Sequence, residues 1–269
     1  MTATTLTPSA VPVRRSSGWR GFGVLLATEA RLWLRDPGTV FFALVFPTVL
    51  LVGVGFAIPG MRVPIEDAPP PWGGLTPVAL YAPVVLAAAI ATPALTTMPV
   101  YFATFREKGL LRRLSTTPMR PQGIVVAHLV INLVAVVVAS VVALVVGQLV
   151  FGLPAPQNAA TVVLAFVLGV ASMYALGTLV AARAPKASTA SAIGTLIYFP
   201  LLFLSGLWTP GPMMPEAVAQ VGRFTPLGAA SQAMTAGWFE EGFPTVQVVV
   251  MLVWTAVLLP LGIRLFRWS

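Results

Sequence analysis

Few residues in this sequence have the types and spacing for chemistry, and their settings exclude most of it. The two lysines are Lys108, after Glu107, and Lys186, after Pro185. A phosphate-binding P-loop needs its lysine in a Gly-Lys-Ser/Thr ending, where it reaches the phosphates. Neither lysine has that setting, so the chain cannot hydrolyse ATP by that route. One histidine, His128, and no cysteine rule out the usual zinc clusters and any disulfide framework. No catalytic residue, metal or cofactor is expected in the chain. His128 has Asn132 one helical turn on. Two roles are open to it: an ionisable group inside the membrane, as a proton-driven carrier needs, or a hydrogen-bonded structural histidine. What remains is a charged run, FREKGLLRRLSTTPMRP, from Phe105 to Pro121, with five basic residues.

That run stands in a very apolar chain. Of 269 residues, 57% are hydrophobic and 9% are charged. A soluble domain carries about 25% charged residues. The mean hydropathy of +0.89 agrees, and an integral membrane protein is expected. The net charge of +8 then marks loops on one side of a membrane and no nucleic-acid partner. Arg14 and Arg15 stand side by side, but Glu29 and Arg31 interrupt the apolar run that a secretory signal would need. A cleaved signal peptide is not expected.

Six stretches are long and apolar enough to cross a bilayer. They lie at about 39–58, 77–101, 123–151, 159–182, 191–208 and 246–263. Pro83, Pro93 and Pro99 are expected to kink the second. Fourteen of the 16 basic residues fall on the side that holds both termini; the other side has only Arg62 and Arg223. By the positive-inside rule the basic side is cytoplasmic. Residues 1–18 are expected to form a flexible cytoplasmic tail, and 19–269 a single all-α membrane domain.

Three connecting regions have character of their own. On a helix from Trp19 to Asp36, Trp19, Phe22, Leu26 and Trp33 share a face, and Arg20, Arg31 and Arg35 lie opposite. That predicts an amphipathic helix along the cytoplasmic membrane surface. Glu29 falls on the apolar side. Either it is solvated at the interface, or it faces protein, with a basic residue of the 105–121 loop as its partner. The 105–121 loop alternates Leu110, Leu111 and Leu114 with Arg112 and Arg113, and Pro118 and Pro121 end any helix. A loop that only orients the chain has no need of those leucines, so a docking element is expected. The stretch 209–243 is too long for a turn and too apolar for a free loop. Pro215 and Pro226 suit helix starts, and two short helices dipping into the outer leaflet are expected. On the fourth span, Ala165, Gly169, Gly177 and Ala181 form a small-residue stripe for helix packing.

Two of these regions carry a resemblance. Arg106, Glu107, Gly109, Leu111, Arg113, Leu114, Thr117 and Pro118 resemble the cytoplasmic loop of the membrane subunits of type-2 ATP-binding-cassette (ABC) exporters. That loop has an arginine-glutamate pair, a glycine, and a leucine-and-arginine run ending in Thr-Pro. Ser205-Gly206, Pro210, Met214-Pro215 and Pro226 resemble the same family's fifth-span exit and outer re-entrant helices. The resemblance implies a permease of the drug- or antibiotic-exporting kind in a bacterial cytoplasmic membrane, paired with a second copy or a paralogue. Two copies of a separate ATPase subunit would bind ATP and Mg. Phe105 to Pro118 would be the coupling element docked on that ATPase. The pathway would run between subunits along the second and fifth spans, with Tyr81, Thr96, Thr97, Tyr198 and Phe203 as wall residues. The cargo would be hydrophobic or amphipathic: a drug, an antibiotic or a lipid. Export of a polysaccharide or glycolipid by the same machinery stays open. So do a secondary carrier or channel acting without an ATPase, and a membrane anchor that recruits a partner.

Overall fold

The computed structural model describes residues 21–66, 70–109 and 122–265. Among them are nine α-helices, two of which run on through a π-helical turn, and no strand. A chain in hydrocarbon must satisfy its backbone internally, which leaves helices as the spanning element for sequences of this kind. Six helices are long and apolar enough to cross a membrane.

The first helix, α1 (Phe22–Leu34), ends at Arg35. Asp36 follows and starts the first span, α2 (Pro37–Ala57). The Asp36 carboxylate accepts hydrogen bonds from the backbone N–H groups of Gly38 and Thr39 at 3.1 and 3.2 Å, and from the Thr39 hydroxyl at 2.7 Å. Pro37 occupies the first helical position, where no N–H is needed. This cap begins the span two residues before the expected start.

The face of α1 expected to lie on the membrane is turned toward protein at Trp33. That side chain is 6% exposed and packs with Ala43 of α2 and with Ile131 and Ala135 of the third span. Phe22 and Leu26 are half-buried, Arg31 is exposed, and Trp19 lies outside the described residues. Val24, Leu32 and Leu34 are the large apolar side chains that α1 leaves exposed.

The second span, α3 (Pro77–Glu107), is the centre of the fold. Every residue from Pro77 to Thr92 is buried. Pro83 stays within the helix, and Pro93 opens a five-residue π-helical turn, Pro93–Thr97, closed by the Met98 N–H on the Pro93 carbonyl. Pro99 has no N–H to offer the carbonyls behind it. The Ala94 and Leu95 carbonyls face two glycines instead. A Cβ added to Gly177 would run into the Ala94 oxygen, and one added to Gly194 into the Leu95 oxygen. Glycine is what lets the fourth and fifth spans approach this widened turn.

The helix α3 continues six residues past its expected end. Phe102, Ala103 and Phe105 are buried by neighbouring helices, so packing extends it through the charged pair. The Lys108 N–H bonds Thr104, and Gly109, at φ 63°, stops the helix. Phe105, Arg106 and Glu107 therefore belong to the second span, where the sequence put them in the loop.

The third and fourth spans, α4 (Gln122–Phe151) and α5 (Ala159–Arg183), lie within a residue of expectation. The fifth, α6 (Ala187–Leu204), lies four residues earlier than expected at both ends. Gly206, at φ 95°, ends it with hydrogen bonds of Ser205 and Leu207 back to Leu201 and Leu202. Trp208 is left outside. Two short helices follow, α7 (Glu216–Arg223) and α8 (Pro226–Phe239), with Pro215 the cap of one and Pro226 the first residue of the other. The Thr225 hydroxyl caps α8 by accepting from the Gly228 N–H at 3.1 Å. Nearly all of α8 is buried among α3, α5 and the sixth span, α9 (Thr245–Leu265). The stripe Ala165, Gly169, Gly177 and Ala181 is buried along its whole length, with Gly169 against Ala230 and Ile90.

Candidate functional site

The polar groups at the basic end of the helices converge on the two ends of the charged run. At its start, Arg106 and Glu107 complete the last turn of α3. The Arg106 guanidinium donates from Nη1 to the carbonyls of Ala181 and Ala184, at 3.0 and 2.6 Å. These carbonyls belong to the unsatisfied last turn of α5. The Glu107 carboxylate accepts from the Ala187 N–H at 3.2 Å. That N–H opens α6, whose own cap residue, Lys186, makes no side-chain hydrogen bond to it. Charge fits dipole at both contacts: the cation sits at a helix C-terminus and the anion at a helix N-terminus. Ala103, Ala184 and Ala190 pack together beneath the pair, all fully buried.

A second cluster ties α1 to the same region. Tyr101, on α3, donates its hydroxyl to Glu29 Oε2 at 2.9 Å. His128 Nε2 lies 3.0 Å from the same oxygen. The Tyr101 and His128 rings meet at a tilt of 42° with centroids 3.7 Å apart, and Phe105 and Phe102 meet the imidazole edge-on. Asn132 donates to the His128 carbonyl at 2.8 Å. The Glu29 carboxyl is held below its ordinary range, first by the hydrogen bond with His128, against the opposing effect of burial, with Tyr101 assisting. Glu29 thus faces protein, but its partners are His128 and Tyr101 and not a basic residue of the loop. The hydrogen-bonded reading of His128 holds.

Leu110, Leu111, Arg112, Arg113, Leu114, Thr117 and Pro118 lie outside the described residues. Gly109 and Gln122 frame their segment, directly beside the two clusters. The expected wall residues are not brought to one surface. Tyr81 is enclosed within the subunit. Tyr198 is also buried, its hydroxyl 2.9 Å from that of Thr92, which links α6 to α3. Thr96 and Thr97 are half-buried in the π turn, and Phe203 is exposed against Trp208. At the opposite end, a cleft of about 240 Å³ opens between α3, α6, α8 and α9, with Trp72, Ser231, Gln232, Glu240 and Gln247 in its wall. None of the expected wall residues lines it.

The family model described as ABC-2 type transporter matches residues 20–239, well over half of the chain. The chain belongs to the ABC-2 type transporter family. The match runs from the start of α1 to the end of α8 and takes in both polar clusters. Comparison with curated proteins finds no match. As an ABC-2 permease the chain is a membrane-spanning transport component, and permeases of this family work with an ATPase subunit.

The sequence did not disclose Tyr101 as a partner of Glu29, nor the anchoring of Arg106 and Glu107 on α5 and α6. The available signal was Phe105: an aromatic residue opening a charged run marks buried surface, and hence a helix that has not yet ended.

Proposed function

We propose that this ABC-2 permease is the transport subunit of an ATP-driven exporter, moving a hydrophobic or amphipathic compound across a bacterial cytoplasmic membrane. The substrate class is drawn from spans without Asp, Glu, Lys or Arg in their interior. Two permease chains would enclose the pathway, and two copies of a separate ATPase would drive it, binding ATP and Mg at their own P-loops. The basic end of the helices would face the cytoplasm, with both termini. The observation that carries this reading is the junction at Gly109: the central helix of the fold leads directly into the segment 110–121, where leucines alternate with arginines. A helix buried on all sides is a suitable lever, and an apolar, basic segment at its tip a suitable handle.

Leu111 and Leu114 would bury in the ATPase, and Arg112 and Arg113 would pair with acidic residues at its rim, where each is worth less. Truncating a well-buried interface leucine costs about 1–3 kcal/mol, enough to weaken docking tenfold or more. The double change Leu111→Ala and Leu114→Ala should leave the permease inserted at normal abundance yet abolish export and substrate-stimulated ATP hydrolysis. Arg112→Gln should do much less. Normal export by the double leucine variant would reduce the segment to a topological signal.

A further inference from the structure

We infer that Arg106 and Glu107 are positioning residues that fasten the tip of α3, just before the 110–121 segment, to the fifth span, so that α6 moves with it. This rests on the reading of that segment as the ATPase handle. The turn between α5 and α6 is three residues, Ala184, Pro185 and Lys186, and it lacks the means to finish its own helices. Pro185 has no N–H, and the Lys186 side chain offers only donors, so it cannot accept from the first N–H groups of α6. The missing partners come from α3. Arg106 supplies donors to Ala181 and Ala184 on one side of the turn, and Glu107 supplies the acceptor for Ala187 on the other.

Neighbours in sequence thus hold two helix ends of opposite polarity. With Ala103, Ala184 and Ala190 fully buried between them, no long side chain is left to absorb a relative shift. The tip of α3 and the start of α6 make one mechanical unit. Further along, α6 meets α3 again through Tyr198 and Thr92, and through Gly194 against the Leu95 carbonyl. Movement of the tip of α3 would therefore reach the fifth span at its first turn.

The test uses the full permease assembled with its ATPase in lipid. The chain has no cysteine, so a single Cys at Ser188, exposed in the first turn of α6, can be labelled without background. Its labelling rate is compared without nucleotide and with the ATPase trapped by ATP and vanadate. The wild-type permease should show a nucleotide-dependent change in rate. Glu107→Ala should reduce that change about fivefold or more, the lower end of typical coupling between sites, while the ATPase still co-purifies. Glu107→Gln should restore it, because the amide oxygen accepts the same hydrogen bond. Arg106→Lys should fall between, since the ammonium keeps several donors on one nitrogen but ends one atom short of the Nη1 position that reaches both carbonyls. A full nucleotide response in Glu107→Ala would overturn the inference, and so would a wild-type permease with no response at Ser188. Failure of the wild-type permease to bind the ATPase would instead remove the functional reading beneath it.

Discussion

Glu29 of α1 and His128 of α4 meet at 3.0 Å across 99 positions of sequence. Tyr101 of α3 closes on the same carboxylate oxygen. One acceptor therefore fastens three helices; Phe105 packs against both ring partners and Phe102 against His128. Removing the acceptor leaves buried donors without partners, which costs about 1–3 kcal/mol. Glu29→Ala should lower the melting temperature of the purified permease and loosen α1. Glu29→Gln keeps an acceptor oxygen in place and should cost less. Thermal unfolding in detergent separates the two, and equal losses would mean that the cluster contributes packing alone.

The same carboxylate makes the docking of α1 sensitive to acid. Its ionised form is favoured in the fold, chiefly by His128, so its proton affinity is lower there than in the unfolded chain. Such a group contributes stability above the unfolded carboxylate range, and the contribution is lost as pH falls through the lower, folded value. The melting temperature of the wild-type protein should therefore drop on acidification through and below the ordinary carboxylate range. Glu29→Gln has no such group to protonate, so its curve should be flatter over that interval. Parallel curves for the two proteins would assign the acid loss to other groups.

The spans were legible in the sequence because hydropathy reports burial in lipid or protein without needing to know the neighbour. Their ends were less so. Asp36 as a cap was readable locally, with Pro37 and Thr39 beside it. The start of α6 was not, because its cap is Glu107, 80 positions away. Glu29 stood out as a charge on an apolar face, and that anomaly did mark a buried partner. The identity of the partner depends on how α1 docks on α3 and α4, a packing angle that no local pattern encodes. Which faces the second and fifth spans turn depends on the same packing: Tyr81, expected on a pathway wall, is buried within the subunit.

The widened turn of α3 gives a steric prediction. Gly177 lies against the Ala94 carbonyl, a backbone atom that cannot swing away. Gly177→Ala should push α5 off α3 and cost about 1–3 kcal/mol as overpacking. Gly53, on α2, has nothing within 4 Å of its missing Cβ, so Gly53→Ala should be neutral or slightly stabilising through helix propensity. Abundance in membranes and melting temperature report both. A Gly177→Ala protein as stable as wild type would show that the two helices do not approach so closely.

Orientation gives the last prediction. The end of the helices that carries Arg106, Arg183 and Lys186 also carries the clusters around Glu29 and Glu107, and the helix ends that bound the 110–121 segment. The other end has Gln157, exposed in the turn between α4 and α5. If an ATPase grips the 110–121 segment, that end must be cytoplasmic, where ATP is. The 14-to-2 division of basic residues predicts the same. The two grounds are independent, one from energetics and one from insertion. Cys at Gln157 should react with a membrane-impermeant maleimide added to intact cells. Cys at Ser16 or Ser115 should react only after the membrane is opened. Labelling of Ser115→Cys in intact cells, with Gln157→Cys protected, would invert the topology and put the handle beyond reach of any cytoplasmic ATPase.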